Sequence, residues 1–518
     1  MGSTQVLEDG PVVGIHLDLK YLMPRKAYLL DWVRALPAWG INTLLLEYED
    51  KFPFRKHSFL RAEGAFTPEE LREFLAVARG ASLRVIPLVQ TLSHLEFALA
   101  HTELAPLREA PDTLTQICPG NPDAIRFVHD LLDEVLAFHE QDEWFHIGAD
   151  EAWSLGVCPA CAARAAQQGK TGFWAEHTRA MCARVQARGK RPLVWDDALW
   201  KDPAGERELP REAILCSWHY GATAREPESA LFRCAAQYRR SGRAFLGIPC
   251  ANWGVLFPRR QHTLDNAAAV AGAVREHGGM GVINSAWACF HVPLPAYAMQ
   301  IAATAELLRG GELTREWEEN FFAGEFGVRA PGLCDALEAL GRLWEVAVAG
   351  LDRPITPMTH GCMDLVLHFP RGHQDRVRNG AYPLDWDTID FCALYLRKLD
   401  LLRALPADHA FHADLALALR DYATAVPVLE NLAARATRRR PEAALLAALG
   451  RFKWLAVRAL ARQLDPTRRD APLDAELAAC RPGLERTLGD FYEPASVRRF
   501  LRMHADPVTS PRAPRCRA

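Results

Sequence analysis

The segment VVGIHLDL, residues 12–19, is a short β-branched run with polar side chains near its end. Seven similar runs follow it before residue 310, and amphipathic stretches that predict helices separate them. The eight predicted strands cover residues 12–19, 41–49, 83–90, 143–150, 192–197, 213–220, 244–253 and 279–287. Eight β/α repeats within about 300 residues predict a closed (β/α)8 barrel, for which about 250 residues are typical.

An open, doubly wound parallel sheet is the alternative fold for the same pattern. Such a sheet usually carries a glycine-rich phosphate loop after its first strand, whereas residues 20–24 read KYLMP. Beyond residue 310, periodic Ala-, Leu-, Arg- and Glu-rich stretches at 331–349, 387–404, 411–434 and 441–463 predict helices. We therefore divide the chain into a catalytic barrel at 1–310 and a mostly α-helical C-terminal domain at 311–518.

The charge balance argues against nucleic acid as a partner, because 61 Lys and Arg residues stand against 64 Asp and Glu residues in a chain of 518. No apolar run approaches the roughly 18 residues of a membrane span, and no signal-like segment opens the sequence. The 13 cysteines lie mostly within apolar runs, which favours reduced thiols. We expect a cytoplasmic protein with a small neutral substrate; the sequence does not decide between a monomer and a homodimer.

Polar and aromatic side chains concentrate where the predicted strands end, and barrels of this kind build their active sites from those ends. These strand ends supply His16, Asp18, Glu47, His146, Asp150, Glu151, Trp195, Asp197, Trp218, Tyr220, Trp253 and Trp287. Indole rings stack on the apolar C–H faces of a sugar, and carboxylates accept its hydroxyl groups. The combination therefore predicts a carbohydrate site.

The stretch WFHIGADE, residues 144–151, carries the strongest local signal. Strand alternation puts His146, Gly148 and Asp150 on one face, and Gly148 leaves room for a ligand or a neighbouring side chain. Asp150 and Glu151 place two carboxylates beside the cleft, although an unpaired buried charge is costly. We interpret the two carboxylates as the catalytic pair, and a structural ion pair is the alternative.

This stretch resembles the His-x-Gly-Gly/Ala-Asp-Glu signature of glycoside hydrolase family 20, the β-N-acetylhexosaminidases. The resemblance covers roughly residues 12–310 and is closest to the hexosaminidase D-like subgroup, which begins at the barrel. Three sequence patterns of that subgroup occur here, namely HLDLK at 16–20, LLEYED at 45–50 and PLVQT at 87–91.

The resemblance implies the reaction. Members of this family hydrolyse terminal β-linked GalNAc or GlcNAc without a cofactor, and the substrate's own acetamido oxygen is the nucleophile that gives an oxazolinium intermediate. By this resemblance Glu151 is general acid and then base, and Asp150 orients the acetamido group. Asp18 and His94 match family residues that form a relay behind the pair, with His94 linking the two carboxylates and His146 in support.

The resemblance and the strand-end positions also indicate the substrate-binding side chains. These are Glu47, Trp195, Asp197, Trp218, Tyr220, Trp253 and Trp287. The sequence departs from the wider family at three places: Val13 replaces an arginine that holds the C3 and C4 hydroxyls, QTLSH at 90–94 replaces Asp-x-Pro-Gly-His, and Cys289 replaces a glutamate. We expect the lost contacts to relax discrimination at C4.

Two other functions remain open at this point. In a conventional retaining glycosidase a second carboxylate is the nucleophile, and Glu47, Asp196 or Asp197 could serve. The second possible function is that of a catalytically inactive barrel that only binds carbohydrate, although binding alone would not need the intact pair of carboxylates.

Two features raise the question of a metal. His16, Asp18, His94 and His146 could form a strand-end cluster, but all four also have metal-free family counterparts or plain packing roles. Cys158 and Cys161 form a single CxxC with no second pair at zinc spacing, so we interpret them as two loop thiols. We therefore predict no metal and no cofactor.

Overall fold

The computed structural model describes residues 10–342, 346–349, 351, 355–356, 389–468 and 470–509. Its strands are β1 (Val12–Asp18), β2 (Thr43–Glu47), β3 (Arg84–Leu88), β4 (Trp144–His146), β5 (Arg191–Trp195), β6 (Ile214–Trp218), β7 (Phe245–Ile248), β8 (Gly254–Val255), β9 (Phe257–Pro258) and β10 (Gly281–Ala286). Strands β1 to β7 and β10 form a closed parallel barrel, and β8 and β9 form a separate antiparallel pair. The predicted (β/α)8 barrel is confirmed, with all eight of its strands.

Closure of the barrel depends on β1, which pairs with strands on both sides. Val12 is in register with Gly281 of β10, and Gly14 is in register with Thr43 of β2. An open sheet would leave β1 or another strand with a free edge, so this pairing excludes the doubly wound alternative.

Sixteen α-helices surround and follow the barrel in the described part of the chain. They are α1 (Lys26–Ala35), α2 (Pro68–Gly80), α3 (Glu96–Leu99), α4 (Pro122–Phe138), α5 (Pro159–Gln186), α6 (Ala230–Ser241), α7 (Arg260–His277), α8 (Ala298–Leu308), α9 (Arg315–Phe326), α10 (Leu333–Gly341), α11 (Phe391–Arg403), α12 (Ala410–Arg435), α13 (Arg440–Leu464), α14 (Leu473–Gly489), α15 (Pro494–Phe500) and α16 (Asp506–Thr509). No helix in these described ranges is long and apolar enough to cross a membrane.

The start of α2 shows how local sequence sets an element. The Thr67 hydroxyl accepts a 3.1 Å hydrogen bond from the Glu70 backbone N–H, and the Glu70 carboxylate accepts one of 2.8 Å from the Thr67 N–H. This reciprocal capping box satisfies two N–H groups that a helix start would otherwise leave unpaired. Pro68 occupies the first turn, where its missing N–H costs nothing.

Alternation along the strands divides the barrel core into two layers. Val12, Leu45 and Ile283 belong to the cluster that fills the barrel, whereas Val13 and Ile15 pack outside it against the helices. Both layers are almost fully buried. The polar strand ends above the inner layer are thereby held on a packed base rather than over a pore.

The C-terminal helices pack against the barrel through specific polar contacts. The buried side-chain nitrogen of Lys453 on α13 donates a 3.3 Å hydrogen bond to the carbonyl of Val255 in β8 and one of 2.6 Å to the carbonyl of Leu340 at the end of α10. The Tyr492 hydroxyl accepts a 2.8 Å hydrogen bond from the Leu294 N–H in the segment after β10. The helical character predicted for this region is confirmed, except that α10 ends at Gly341. Residues 343–345 and 387–388 of the predicted stretches lie outside the described residues.

Candidate active site

The carboxylate pair lies on a strained turn rather than on the extended strand that the alternation predicted. Strand β4 ends at His146, and Gly148, Ala149 and Glu151 then adopt φ values of 64°, 70° and 47°. Left-handed backbone is costly for a residue with a Cβ, so Ala149 and Glu151 must be held by their surroundings. Such strain at a strand end is typical of functional sites.

Gly148 is required by a close approach. A Cβ at this position would lie 2.0 Å from the Oε1 atom of Gln90, so the space predicted above the glycine is filled by a neighbouring side chain. The Gly148 N–H donates a 2.9 Å hydrogen bond to Nδ1 of His146, which starts the turn. Only glycine combines this contact with the positive φ.

Three side chains from neighbouring segments form hydrogen bonds that hold the rest of the turn. The indole N–H of Trp174 on α5 donates a 2.7 Å hydrogen bond to the carbonyl of Ala149. The hydroxyl of Ser93 donates to the carbonyl of Asp150. The carboxylate of Asp197 accepts a 2.9 Å hydrogen bond from the Glu151 N–H. These bonds offset the backbone strain and set the direction of both carboxylates.

His94 lies between the two carboxylates. Its Nε2 atom is 3.4 Å from Oδ2 of Asp150 and 3.3 Å from Oε2 of Glu151. Burial alone would lower the pKa of His94, but the Asp150 charge and the hydrogen bonds to Asp150 and Glu151 raise it well above its usual value. An imidazolium therefore joins the pair at neutral pH, and the structure brings together the three residues that the sequence linked.

Asp18 does not join this group in the way the family resemblance implied. Its carboxylate accepts hydrogen bonds of 3.0 Å from the backbone N–H groups of Lys20 and Ala288. Burial raises the pKa of Asp18 to about 6, although the Lys20 charge opposes the shift. The carboxylate nearest the other nitrogen of His94 is Glu96, with its Oε1 atom 3.9 Å from Nδ1.

Glu47 lies beneath the site instead of facing a substrate. Its side chain is 1% exposed, and its two oxygens accept hydrogen bonds of 2.9 Å from His16 and 3.0 Å from Gln90. Although burial opposes the shift, the Lys20 charge and these two hydrogen bonds lower the pKa of Glu47 to about 2. The structure thus places Glu47 as a charged support for the floor, because both oxygens are already engaged.

Trp195 also belongs to the floor. It has no exposed surface and packs on the buried His146, with ring centroids 4.2 Å apart. Burial lowers the pKa of His146 well below its usual value, so the imidazole is neutral. This position differs from the wall of the sugar pocket expected for Trp195, because the alternation indicates the face of a residue but not its depth.

The aromatic wall is built from residues that keep some exposure. Trp287 donates a 2.7 Å hydrogen bond from Nε1 to the hydroxyl of Tyr220. The Tyr220 ring lies 5.1 Å from Trp218 and 5.8 Å from Trp253, measured between ring centroids. Trp200, which the sequence reading did not single out, extends the row at 4.5 Å from Trp218. The predicted aromatic residues other than Trp195 therefore form one continuous row.

Asp196 and Asp197 have different environments. The two oxygens of Asp196 accept hydrogen bonds of 3.0 Å from Trp200 and Tyr238, which makes Asp196 a buried structural anchor. Asp197 is half-buried and, among the described residues, its Oδ1 atom has no hydrogen-bond partner. Burial and the Asp150 charge raise the pKa of Asp197 well above its usual value, which favours an uncharged carboxyl.

The strand-end metal hypothesis finds no support in the described part of the chain. His16, Asp18, His94 and His146 do not bring their ligand atoms to a common point there, since His16 pairs with Glu47. The resemblance indicated that these residues could be explained without a metal.

Several supporting residues carry only weak signals in the sequence. Gln90, Ser93, Glu96 and Trp174 are single polar or aromatic residues in loops or on a helix. Their contacts with the catalytic turn follow from the way the loops after β3 and β4 fold together. The position of Ser93, directly before His94, was the one sequence feature that pointed to a supporting role.

Comparison with known proteins identifies the family of this chain. The family model described as glycosyl hydrolase family 20, catalytic domain, matches residues 48–232, which include His94, Asp150 and Glu151. Hexosaminidase D of Bos taurus is 34% identical over 290 residues, covering 53% of this chain and 83% of the bovine protein. Hexosaminidase D of Homo sapiens is 35% identical over 327 residues, covering 57% of this chain and 65% of the human protein.

Among solved structures, a β-N-acetylhexosaminidase from Bacteroides fragilis aligns with 60% of this chain and 69% of its own, at 17% identity and a TM-score of 0.47. The family assignment depends instead on the sequence relatives, since the bovine protein is matched over most of its length. On that basis the chain belongs to glycosyl hydrolase family 20 and is a glycoside hydrolase.

Proposed function

We propose that this glycoside hydrolase is an exo-acting β-N-acetylhexosaminidase that removes terminal β-linked GalNAc or GlcNAc by substrate-assisted, retaining catalysis. The names of the two hexosaminidase D relatives support the substrate class. The arrangement of the carboxylates in the site supports the mechanism.

One observation carries the proposal: Asp150 and Glu151 are neighbours on one turn and share the same histidine. A conventional retaining enzyme needs its acid and its nucleophile on opposite sides of the scissile bond, about 5 to 5.5 Å apart. Asp150 and Glu151, which both contact His94, approach the sugar from similar directions and so do not meet this requirement. This arrangement suits an acid and an orienting group, with the nucleophile supplied by the substrate.

The remaining carboxylates are poor nucleophiles. Glu47 is buried with both oxygens engaged, and Asp196 is anchored by Trp200 and Tyr238. Burial and the Asp150 charge raise the pKa of Asp197 well above its usual value, which disfavours the carboxylate form that a nucleophile needs.

Asp150 has the acceptor that an acetamido N–H requires. Its Oδ1 atom is buried and has no hydrogen-bond partner in the described part of the chain, while Oδ2 faces His94. A substrate N–H bonded to Oδ1 would satisfy this atom and direct the acetamido oxygen toward the anomeric carbon. The carboxylate would also stabilise the positive charge that develops on the oxazolinium.

Glu151 and Tyr220 complete the proposed reaction. The Glu151 side chain keeps 36% of its surface exposed, so it can reach the glycosidic oxygen as acid and later activate water as base. The Tyr220 hydroxyl accepts a 2.7 Å hydrogen bond from Trp287, which orients it so that it could donate its proton to an acetamido oxygen of the substrate.

The test compares aryl β-GlcNAc, β-GalNAc and β-glucoside substrates under identical conditions, with Glu151→Gln as the reference of reduced activity. We expect hydrolysis of the two acetamido sugars only, because the glucoside lacks the internal nucleophile. A thiazoline mimic of the oxazoline should inhibit competitively. Glucoside hydrolysis at a similar rate would favour the conventional two-carboxylate mechanism, and binding without hydrolysis of any substrate would favour the catalytically inactive barrel.

A further inference from the structure

Four side chains with metal-ligating atoms converge outside the active site. They are Glu109, Cys118, Cys158 and Cys161, and one ligand atom from each lies within 4.8 Å of all the others. Glu109 and Cys118 come from the segment after β3, and Cys158 and Cys161 from the segment after β4. The fold thus brings a third thiol and a carboxylate to the single CxxC that the sequence presented as two loop thiols.

The sulfur positions fit a tetrahedral ion. Cys118 Sγ lies 3.5 Å from the Sγ atoms of both Cys158 and Cys161. Two thiolates bound to one tetrahedral Zn²⁺ at about 2.3 Å are separated by about 3.8 Å. The two sulfur–sulfur distances would have to lengthen by only about 0.3 Å to accommodate the ion.

The carboxylate gives an independent indication of a ligand. Oε1 of Glu109 accepts hydrogen bonds of 2.9 Å from the Val157 N–H and 3.1 Å from the Cys158 N–H. Oε2 is buried and has no hydrogen-bond partner within the described ranges, and the whole residue is 1% exposed. A buried carboxylate oxygen without a partner is costly unless a cation or a donor meets it.

The surroundings hold the thiols in place. Cys158 is the N-cap of α5, and its Sγ accepts a 3.3 Å hydrogen bond from the Cys161 N–H. Gly120 keeps the cluster open, because a Cβ there would lie 2.9 Å from Cys161 Sγ.

We propose that Glu109, Cys118, Cys158 and Cys161 bind one Zn²⁺ as a closed structural site. Three thiolates select a soft or borderline ion such as zinc over magnesium or calcium, and the fourth protein ligand leaves no open position for catalysis. Binding replaces the thiol protons by the ion and releases them to solvent. The site lies outside the residues that we assign to the glycosidase reaction and does not depend on that assignment.

The position of the site suggests what the ion would hold together. The segment after β3 carries His94, and the segment after β4 carries Asp150 and Glu151. Between the cluster and these residues the two segments touch through few side-chain bonds, one of them a 3.0 Å bond from the Ser154 N–H to the Gln116 side chain. An ion bound by the cluster would fix the position of the segment that carries His94 relative to the segment that carries Asp150 and Glu151.

The first experiment measures metal in the intact, reduced full-length protein. Mass spectrometry of the metals in protein purified without chelator should give about one zinc per chain. Replacement by Co²⁺ should produce the strong visible bands and the thiolate-to-cobalt charge-transfer band of a tetrahedral site. Protein that holds no zinc and gives no thiolate–cobalt spectrum when Co²⁺ is added would overturn the proposal.

Matched variants locate the site without relying on activity. Cys161→Ser should lose the metal, whereas Cys480→Ser, which changes a half-buried free cysteine on α14, should keep one equivalent. Glu109→Gln should release zinc to a chelator faster than the unmodified protein, and equal retention would overturn the assignment of Glu109. If Cys161→Ser does not fold, the cobalt spectrum of the unmodified protein still decides. A disulfide from Cys118 to Cys158 or Cys161 in freshly isolated protein would also contradict the site.

Discussion

The backbone N–H of Glu151 donates a 2.9 Å hydrogen bond to Oδ2 of Asp197, which joins the end of the catalytic turn to the loop after β5. Glu151 has a φ of 47°, and this bond is one of the contacts that hold that conformation. Burial and the Asp150 charge raise the pKa of Asp197 well above its usual value. Asp197 therefore acts as a neutral acceptor that directs Glu151.

The first prediction follows from the neutral state of Asp197. Asp197→Asn keeps an uncharged acceptor of the same shape, so we expect it to retain most of the kcat. Asp197→Ala removes the acceptor and leaves the Glu151 N–H unsatisfied, which should cost about tenfold or more in kcat, since a lost buried hydrogen bond costs about 1–3 kcal/mol. Steady-state kinetics on an aryl β-GlcNAc substrate measure both variants.

The same pair of variants tests the competing mechanism. If Asp197 were the nucleophile, Asp197→Asn would be as inactive as Asp197→Ala, because an amide cannot form the glycosyl ester. Such a result would contradict both the neutral acceptor and the substrate-assisted scheme.

The second prediction concerns pH and His94. Because the folded-state pKa of His94 is raised above its ordinary value, the stabilisation it provides is complete below the unfolded-state value near 6.5 and is lost as the pH rises through the folded-state pKa. We expect the loss in melting temperature of His94→Gln to be largest at slightly acidic pH and to shrink in alkaline buffer.

The activity profile gives a second measurement of the same group. Loss of the imidazolium leaves Asp150 and Glu151 without their shared partner, so kcat/KM should fall on the alkaline side. The His94→Gln profile should lack that alkaline limb. A melting-temperature difference that grows with pH would contradict the charged state assigned to His94.

The third prediction separates the floor of the pocket from its wall. Trp195 has no exposed surface, so Trp195→Ala should lower the free energy of unfolding by about 3–5 kcal/mol, as is typical for a buried large aromatic residue. Trp287 is only half-buried and orients Tyr220. Trp287→Ala should therefore lower kcat/KM strongly with a smaller effect on stability.

Denaturant unfolding and kinetics on both variants check this contrast. If Trp287→Ala unfolds as readily as Trp195→Ala, Trp287 is a core residue and not a wall of the sugar pocket. Trp39, which packs far from the site between α1 and α9, offers a matched control for loss of an indole.

The sequence predicts the features of this protein that depend on neighbouring residues better than those that depend on contacts between distant segments. The β-branched runs identified all eight barrel strands, because strand pattern is local. Asp150 and Glu151 followed from adjacent positions at a strand end. The turn that carries them did not, since the φ values of Ala149 and Glu151 are imposed by partners from α5 and from the segments that follow β3 and β5.

For the other residues, the sequence could not predict how deeply a side chain is buried or how the loops pack together. Glu47 and Trp195 lie at strand ends as expected, but neighbouring layers cover them. Cys118 and Glu109 stand about 40 residues or more before Cys158, and no regular spacing connects them. Their meeting depends on two long loops that sequence periodicity does not describe.

The fourth prediction concerns substrate discrimination. Val13 stands where the resemblance leads us to expect an arginine, and it packs outside the barrel with Ile15, away from the sugar site. Without that cation at C3 and C4, we expect GalNAc to be accepted at least as well as GlcNAc. The ratio of kcat/KM for the two aryl substrates measures this, and a hundredfold preference for GlcNAc would contradict it.

The last prediction separates the two adjacent carboxylates. Glu151→Gln removes the proton donor, so hydrolysis should fall by roughly 10² to 10⁴, the range of general acid catalysis, and by less for substrates with acidic phenol leaving groups. Glu143→Gln is the matched control, because Glu143 is exposed at the opposite end of β4. Leaving-group dependence of kcat/KM is the measurement.

Asp150→Asn keeps the acid but loses the charge that stabilises the acetamido nucleophile, so its defect should persist even with the best leaving group. Azide should rescue neither variant as an α-glycosyl azide, because neither substitution removes an enzymic nucleophile. A sugar attached covalently to a protein carboxylate, found by mass spectrometry of trapped enzyme, would contradict this scheme. It would identify the conventional two-carboxylate mechanism instead, since only that mechanism forms a glycosyl ester on the chain.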